Sequence, residues 1–282
     1  MKKTTMFFIV LLAAVFVPCI SAPVPALADT PVTIREPFIR DLQLPVGMLY
    51  DGEGSLYIAE WAAGRVCKYD SKGRRTLVTE EVAHPSGLAM DEDGRLFIAS
   101  YNEGIIYLFE EGRLRRFVSG FNVPAGILWH DGILYVANRD AGEIVRVSPV
   151  GRKDVLSKGH HSPVGIARFD DGSLVISCLG GLIQRLWPDG RVTTVSDALK
   201  SPAPGIVRDG AGAVIAADYG GTRIARITLD GVAETVADGF STPVGLVRRP
   251  DGGLVVAAWG DAAAFKVEPG ISGPSDSAEN KL

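Results

Sequence analysis

Pro163-Val164-Gly165-Ile166-Ala167-Arg168-Phe169-Asp170-Asp171-Gly172-Ser173-Leu174-Val175-Ile176-Ser177 holds the first half of a unit that recurs along the whole chain. A turn-like Pro-x-Gly opens it, an apolar stretch runs forward, an Asp-Gly turn reverses the chain and a β-branched run returns. Asp-Gly favours tight hairpins because both residues tolerate positive φ. The opening recurs as Pro45-Val46-Gly47, Pro85-Ser86-Gly87, Pro124-Ala125-Gly126, Pro202-Ala203-Pro204-Gly205 and Pro243-Val244-Gly245. Its six glycines stand 40, 39, 39, 40 and 40 residues apart. The reversal recurs at Asp93-Gly94, Asp131-Gly132, Asp209-Gly210 and Asp251-Gly252. After the returning strand come a small-residue loop and a third strand, as in Gly142-Glu143-Ile144-Val145-Arg146. A second turn, such as Asp189-Gly190, leads into a fourth strand over 191–195. Four short strands in each unit of about 40 residues predict an all-β, six-bladed β-propeller with four antiparallel strands per blade.

The ends predict how the ring shuts. The sixth unit supplies three strands and stops near Glu268, whereas residues 36–42 stand before the first Pro-x-Gly as an unaccompanied strand. Adding that N-terminal strand to the last blade would complete it and cover an open sheet edge. The propeller is therefore expected over 29–268. The Gly/Ser/Pro-rich segment 269–282 reads as a disordered tail.

Met1-Lys2-Lys3, an apolar run to Val17 and an Ala26-Leu27-Ala28 site compose a secretory signal over 1–28, too short to span a bilayer. Phe16-Val17-Pro18 before Cys19 is a poor lipobox, which favours cleavage after Ala28 over a lipid anchor. The expected product has 254 residues (282 − 28), no membrane span, and a periplasmic or secreted address. Losing Lys2 and Lys3 takes the formal charge from −4 to −6, and no basic stripe suits nucleic acid. Of the remaining cysteines, Cys67 falls in blade one and Cys178 in blade four. Opposite positions in the ring predict two free, mostly buried thiols. A lone propeller of this size reads as a monomer.

The pattern Pro-x-Gly-apolar, Asp-x-Gly, apolar-aromatic-β-branched-Ala, Arg-β-branched, Asp-Gly resembles the NHL repeat and SMP-30/gluconolactonase-like propellers over residues 36–268. Blade five, Arg223-Ile224-Ala225-Arg226-Ile227-Thr228-Leu229-Asp230-Gly231, is also similar to repeats of streptogramin lyases. The resemblance implies a propeller and a choice among lactone hydrolases, lyases and non-catalytic binding modules. In the gluconolactonase-like enzymes it implies a divalent metal, Ca or Zn here, held by oxygen ligands. In some blades that ligand stands directly before the glycine. This chain has Val46, Ser86, Ala125, Val164, Pro204 and Val244 there, one hydroxyl where a hard cation needs several oxygens. No counterpart aligns with the histidine-and-glutamate site of the lyases.

Strand order puts the loop after each second strand on the same face as Pro-x-Gly. In blade order those loops begin Glu60-Trp61, Ser100-Tyr101, Asn138-Arg139, Cys178-Leu179, Asp218-Tyr219 and Ala258-Trp259. Glu60, Asn138 and Asp218 fall on alternate blades. They could converge on the axis as metal ligands, or each could cap the backbone of a neighbouring loop. Trp61, Tyr101, Tyr219 and Trp259 occupy four blades that become consecutive on closure and, with Arg139, form the candidate ligand-binding surface. Packing between blades is the alternative for these rings. His84, His160 and His161 lie in loops of the same face. His84 or His160 could complete a rebuilt metal set, but His160-His161 lacks ligand spacing and reads as a solvated loop. Ser100 and Ser177 have no Gly-x-Ser-x-Gly context for a nucleophile. Two functions of different class follow. One is a binding module for a small-molecule ligand or a periplasmic protein. The other is a metal-dependent lactonase-type hydrolase, or a lyase, with a rebuilt centre.

Overall fold

A computed structural model describes residues 32–33 and 36–268. The predicted leader over 1–28 and the predicted tail over 269–282 lie outside the described residues. Every regular element described is a strand, and no helix among the described residues is long and apolar enough to cross a membrane.

Blade one runs outward from the axis as Pro45–Tyr50, Leu56–Glu60, Arg65–Tyr69 and Arg75–Thr79, each antiparallel to the last. Blades two to five repeat the order from inner strands Pro85–Met90, Pro124–His130, Pro163–Arg168 and Pro202–Asp209. The sixth has three strands, Pro243–Arg248, Leu254–Ala258 and Ala263–Val267. The all-β six-bladed propeller is thus the observed fold. The Asp-Gly reversals behave as their chemistry demands, with Gly172 for instance at φ 80.

Glycine in Pro-x-Gly answers a different need. None of these six glycines has positive φ. A methyl added to Gly47, Gly87, Gly126, Gly165, Gly205 or Gly245 would stand well inside 3.0 Å of a carbonyl oxygen on the next inner strand: Ser86, Ala125, Val164, Pro204, Val244 and Val46 respectively. The last contact returns to blade one, so the six backbones form a closed, touching ring around the axis.

Six apolar clusters, one between each pair of adjacent blades, make up the core. The residue after each ring glycine packs against the preceding blade. Leu88 does so between blades one and two, Ile127 between two and three, and Leu246 between five and six. Burial of such aliphatic and aromatic side chains stabilises by about 1.5–3 kcal/mol each. Cys67 and Cys178 lie in different clusters as free, buried thiols.

On the acidic-turn face, polar latches add to these seams. Each reaches back about one repeat: Trp129 Nε1 donates to Glu92 at 2.8 Å and Arg168 to His130 Nε2 at 2.7 Å. Arg208 grips both oxygens of Asp170 at 2.6 Å, and Arg248 donates to Asp209 at 2.9 Å.

The N-terminal segment does reach the sixth blade, as a bridge rather than a full strand. Ile39 pairs antiparallel with Ala264, and Leu42 N donates to the Ala262 carbonyl at 2.8 Å. Pro37 has no N–H to extend the ladder in one direction, and Asp41 turns the chain at φ 60 in the other. Side-chain burial compensates, since Ile39 and Leu42 both enter the cluster between blades six and one. Val32–Thr33 also pairs in parallel with Ala233–Asp238, the outer strand of blade five.

Candidate functional site

Each opening proline pairs with the last residue of the second strand: Pro45 with Glu60, Pro85 with Ser100, Pro124 with Asn138, Pro163 with Cys178, Pro202 with Asp218 and Pro243 with Ala258. This register puts all the residues singled out above on one face. The residue after the second strand then donates its N–H to the carbonyl just before the proline. Trp61 donates to Leu44, Tyr101 to His84, Arg139 to Val123, Leu179 to Ser162 and Trp259 to Thr242. Those five acceptors all have φ between 49 and 59, a left-handed conformation that is costly for β-branched Val123 and Thr242. Backbone strain is therefore concentrated around this mouth.

Glu60, Asn138 and Asp218 each accept from a loop backbone N–H upstream of the opening proline of their own blade. Glu60 accepts from Gln43 N at 3.0 Å and from the Arg65 guanidinium at 2.9 and 2.7 Å. Asn138 Oδ1 accepts from Asn122 N at 2.7 Å. Asp218 accepts from Ser201 N at 2.9 Å and Lys200 N at 3.2 Å. Burial alone would raise the Glu60 carboxyl, but Arg65 and the Gln43 amide outweigh it and hold it below the ordinary range. Asp261 plays the same part in blade six, accepting from Ser241 N at 2.9 Å. The alternating acids and amide thus clamp loops, and the donor set does not fit one shared cation. Among the described residues, no three His, Cys, Asp or Glu side chains gather closely enough to hold a metal. The residues before the ring glycines offer only the Ser86 hydroxyl, which donates to the Pro124 carbonyl at 2.9 Å.

The aromatic residues fall into two groups. Trp61 lies with its ring centroid 4.3 Å from His84 and 6.1 Å, edge-on, from Tyr101. Arg139 closes this group, donating to the Tyr101 hydroxyl at 2.5 Å and facing Asp140 at 3.2 Å. Its Nε is buried with no acceptor. Burial raises the Tyr101 phenol, against the pull of Arg139. Tyr219 and Trp259 form the second group, edge-to-face at 5.6 Å. Trp259 Nε1 donates to the Pro45 carbonyl at 2.8 Å and so ties blade six to blade one. Trp61, Tyr101, Arg139 and Trp259 are half-buried and Tyr219 is exposed.

The histidines divide. His84 lies under Trp61 with Nδ1 accepting from the Asn102 amide at 2.9 Å, a ring contact that the sequence pattern did not signal. His160 corrects the expectation of a solvated loop, being 5% exposed with Nδ1 2.8 Å from Gln184 Oε1. Burial lowers its tendency to protonate. The close approach of its backbone to Gly142 explains the burial.

No family model matches the chain. L-arabinolactonase of Azospirillum brasilense is 37% identical over 62 residues, which is 22% of this chain and 21% of that protein. The match therefore spans about a fifth of the relative's length. Among solved structures, a gluconolactonase from Xanthomonas campestris superposes with a TM-score of 0.73 at 16% identity, covering 82% of this chain and 88% of that one. A streptogramin B lyase superposes with a TM-score of 0.65 at 16% identity, covering 83% and 97%. The chain shares its fold with both kinds of propeller.

Proposed function

We propose that this chain is an exported binding module that captures a small ring-bearing ligand on the Pro-x-Gly face. Trp61 and Tyr101 on one side and Tyr219 and Trp259 on the other supply apolar ring surfaces with polar edges. Arg139 supplies the anchor for a carboxylate or another acceptor. The observation that carries this reading is Arg139 itself, half-buried beside the Tyr101 ring with an Nε–H that no protein atom accepts. An acidic sugar or an aromatic acid combines the two features required.

A lactonase-type hydrolase is the second reading, favoured by the 62-residue match to L-arabinolactonase. It needs a metal or a general base, and Glu60, Asn138 and Asp218 already hold loop amides. A ligand screen of uronic and aromatic acids by calorimetry, beside a lactone-hydrolysis assay with and without Ca²⁺ or Zn²⁺, separates the two. The binding module predicts saturable binding that Trp61→Ala and Arg139→Ala each weaken by at least about tenfold, roughly 1.4 kcal/mol, without turnover. Metal-dependent lactone cleavage that survives both substitutions would overturn it in favour of the hydrolase.

A further inference from the structure

The axial cavity opens on the acidic-turn face, away from Trp61, Tyr101, Tyr219 and Trp259. It encloses about 290 Å³, near the lower end of the roughly 300–1,000 Å³ usual for small-molecule sites. It is also about twice the roughly 150 Å³ of an apolar cavity that admits benzene. Its walls are the aliphatic residues that follow the ring glycines: Met48, Leu88, Ile127, Ile166, Ile206 and Leu246. The touching glycine ring makes the Pro-x-Gly end the tight end, where Val46, Ser86, Ala125, Val164 and Val244 are all buried. At the other end the lining residues Tyr50, Met90 and Trp129 are half-exposed.

Tyr50, Met90 and Trp129 each stand three residues after their ring glycine. In blades four, five and six that position holds Arg168, Arg208 and Arg248. Carboxylates pair with two of them, Asp170 with Arg208 and Asp209 with Arg248. Arg168 differs. One of its Nη atoms donates to His130, its Nε is buried with no acceptor, and no carboxylate pairs with it among the described residues. Asp170 lies near enough to feel its charge, but both oxygens face Arg208.

We propose that this well is a second binding site, for a small apolar carboxylate whose body lies among the aliphatic walls and whose head pairs with a free Nη of Arg168, which holds in blade four the strand position that Met90 holds at the rim in blade two. An apolar body gains by leaving water for such a lining. The remaining guanidinium nitrogen offers a charged donor that pairs with a carboxylate more strongly than with a hydroxyl. The site is separate from the aromatic face and does not depend on the function proposed there.

Calorimetric titration of the full protein with decanoate, decanol and acetate tests it. Decanoate is expected to bind, decanol about tenfold more weakly, and acetate not measurably, with added salt weakening decanoate alone. Arg168→Gln should reduce decanoate affinity about tenfold and leave decanol unchanged. Ile166→Phe, which fills the well, should abolish both. Should Arg168→Gln fail to fold, Met90→Trp at the rim is expected to block both ligands in its place. Absence of decanoate binding to the unaltered protein would overturn the proposal. So would binding indifferent to the rim and wall substitutions, or decanoate binding lost in Trp61→Ala.

Discussion

Glu60 shows how one side chain can bind the architecture and the loop face together. It is fully buried, yet both oxygens are satisfied by Arg65 and the Gln43 amide. Removing one partner of such a pair leaves an uncompensated group, at a cost of about 3–5 kcal/mol. The exposed flank of Arg65 puts Glu60→Gln near the lower bound. The pH dependence has a definite sign. Because the folded carboxyl titrates below its ordinary value of 4.5, its stabilisation is complete above that value and is lost as pH falls through the folded pKa. The melting temperature should therefore fall more shallowly between pH 5 and pH 3 in Glu60→Gln than in the unaltered protein. Parallel curves would show that the acid limb is set elsewhere. The two thiols offer a second check at this scale. Burial pushes Cys67 up to about 11 and Cys178 up to about 12, so neither should react with a disulfide reagent at pH 8 until the protein unfolds. Rapid labelling of the native state would show the seams to be more open than described.

In the inner strands, glycine is required by contact rather than by torsion. Gly126→Ala would press a methyl against the Val164 carbonyl and the Gly165 backbone, with about 1–3 kcal/mol expected for the overpacking. Gly52→Ala, in a turn with nothing within 4 Å and no positive φ, should change stability by no more than about 0.5 kcal/mol. Equal melting temperatures for the two variants would refute the touching ring. The six-fold period, the face assignment and the strand order were legible in the sequence, because Pro-x-Gly and Asp-Gly encode turns through local chemistry. The site was legible only in part. Trp61, Tyr101 and Arg139 could be placed on one face, but not in contact with His84. The loop-clamping bonds of Glu60, Asn138 and Asp218 depend on backbone amides 16 to 18 residues upstream, a separation that spacing alone does not orient. The single bridge at Ile39 was obscured for a related reason. A segment with Phe38, Ile39 and Leu42 among its seven residues reads as a strand whether or not Pro37 and Asp41 let its ladder continue.

Across the molecule, stability is distributed over six seams, and among the described residues blade six, which alone lacks a fourth strand of its own, draws its outer segment from the opposite end of the sequence. Ile39 and Leu42 close it from outside. Ile39→Ala and Leu42→Ala should each cost about 2–5 kcal/mol, with unfolding remaining a single transition if the ring behaves as one cooperative body. A biphasic melt would instead show blade six detaching first. The Ile39–Ala264 bridge also governs timing. Its partners are 225 residues apart (264 − 39), so Ile39 has nothing to pair with until Ala264 has been made. The entropy of closing so long a loop rises only logarithmically, but contacts this distant in sequence delay the rate-limiting step. Nascent or truncated chains that lack Ala264 must therefore carry an unclosed sheet edge, and that interval is when they are most open to aggregation and proteolysis.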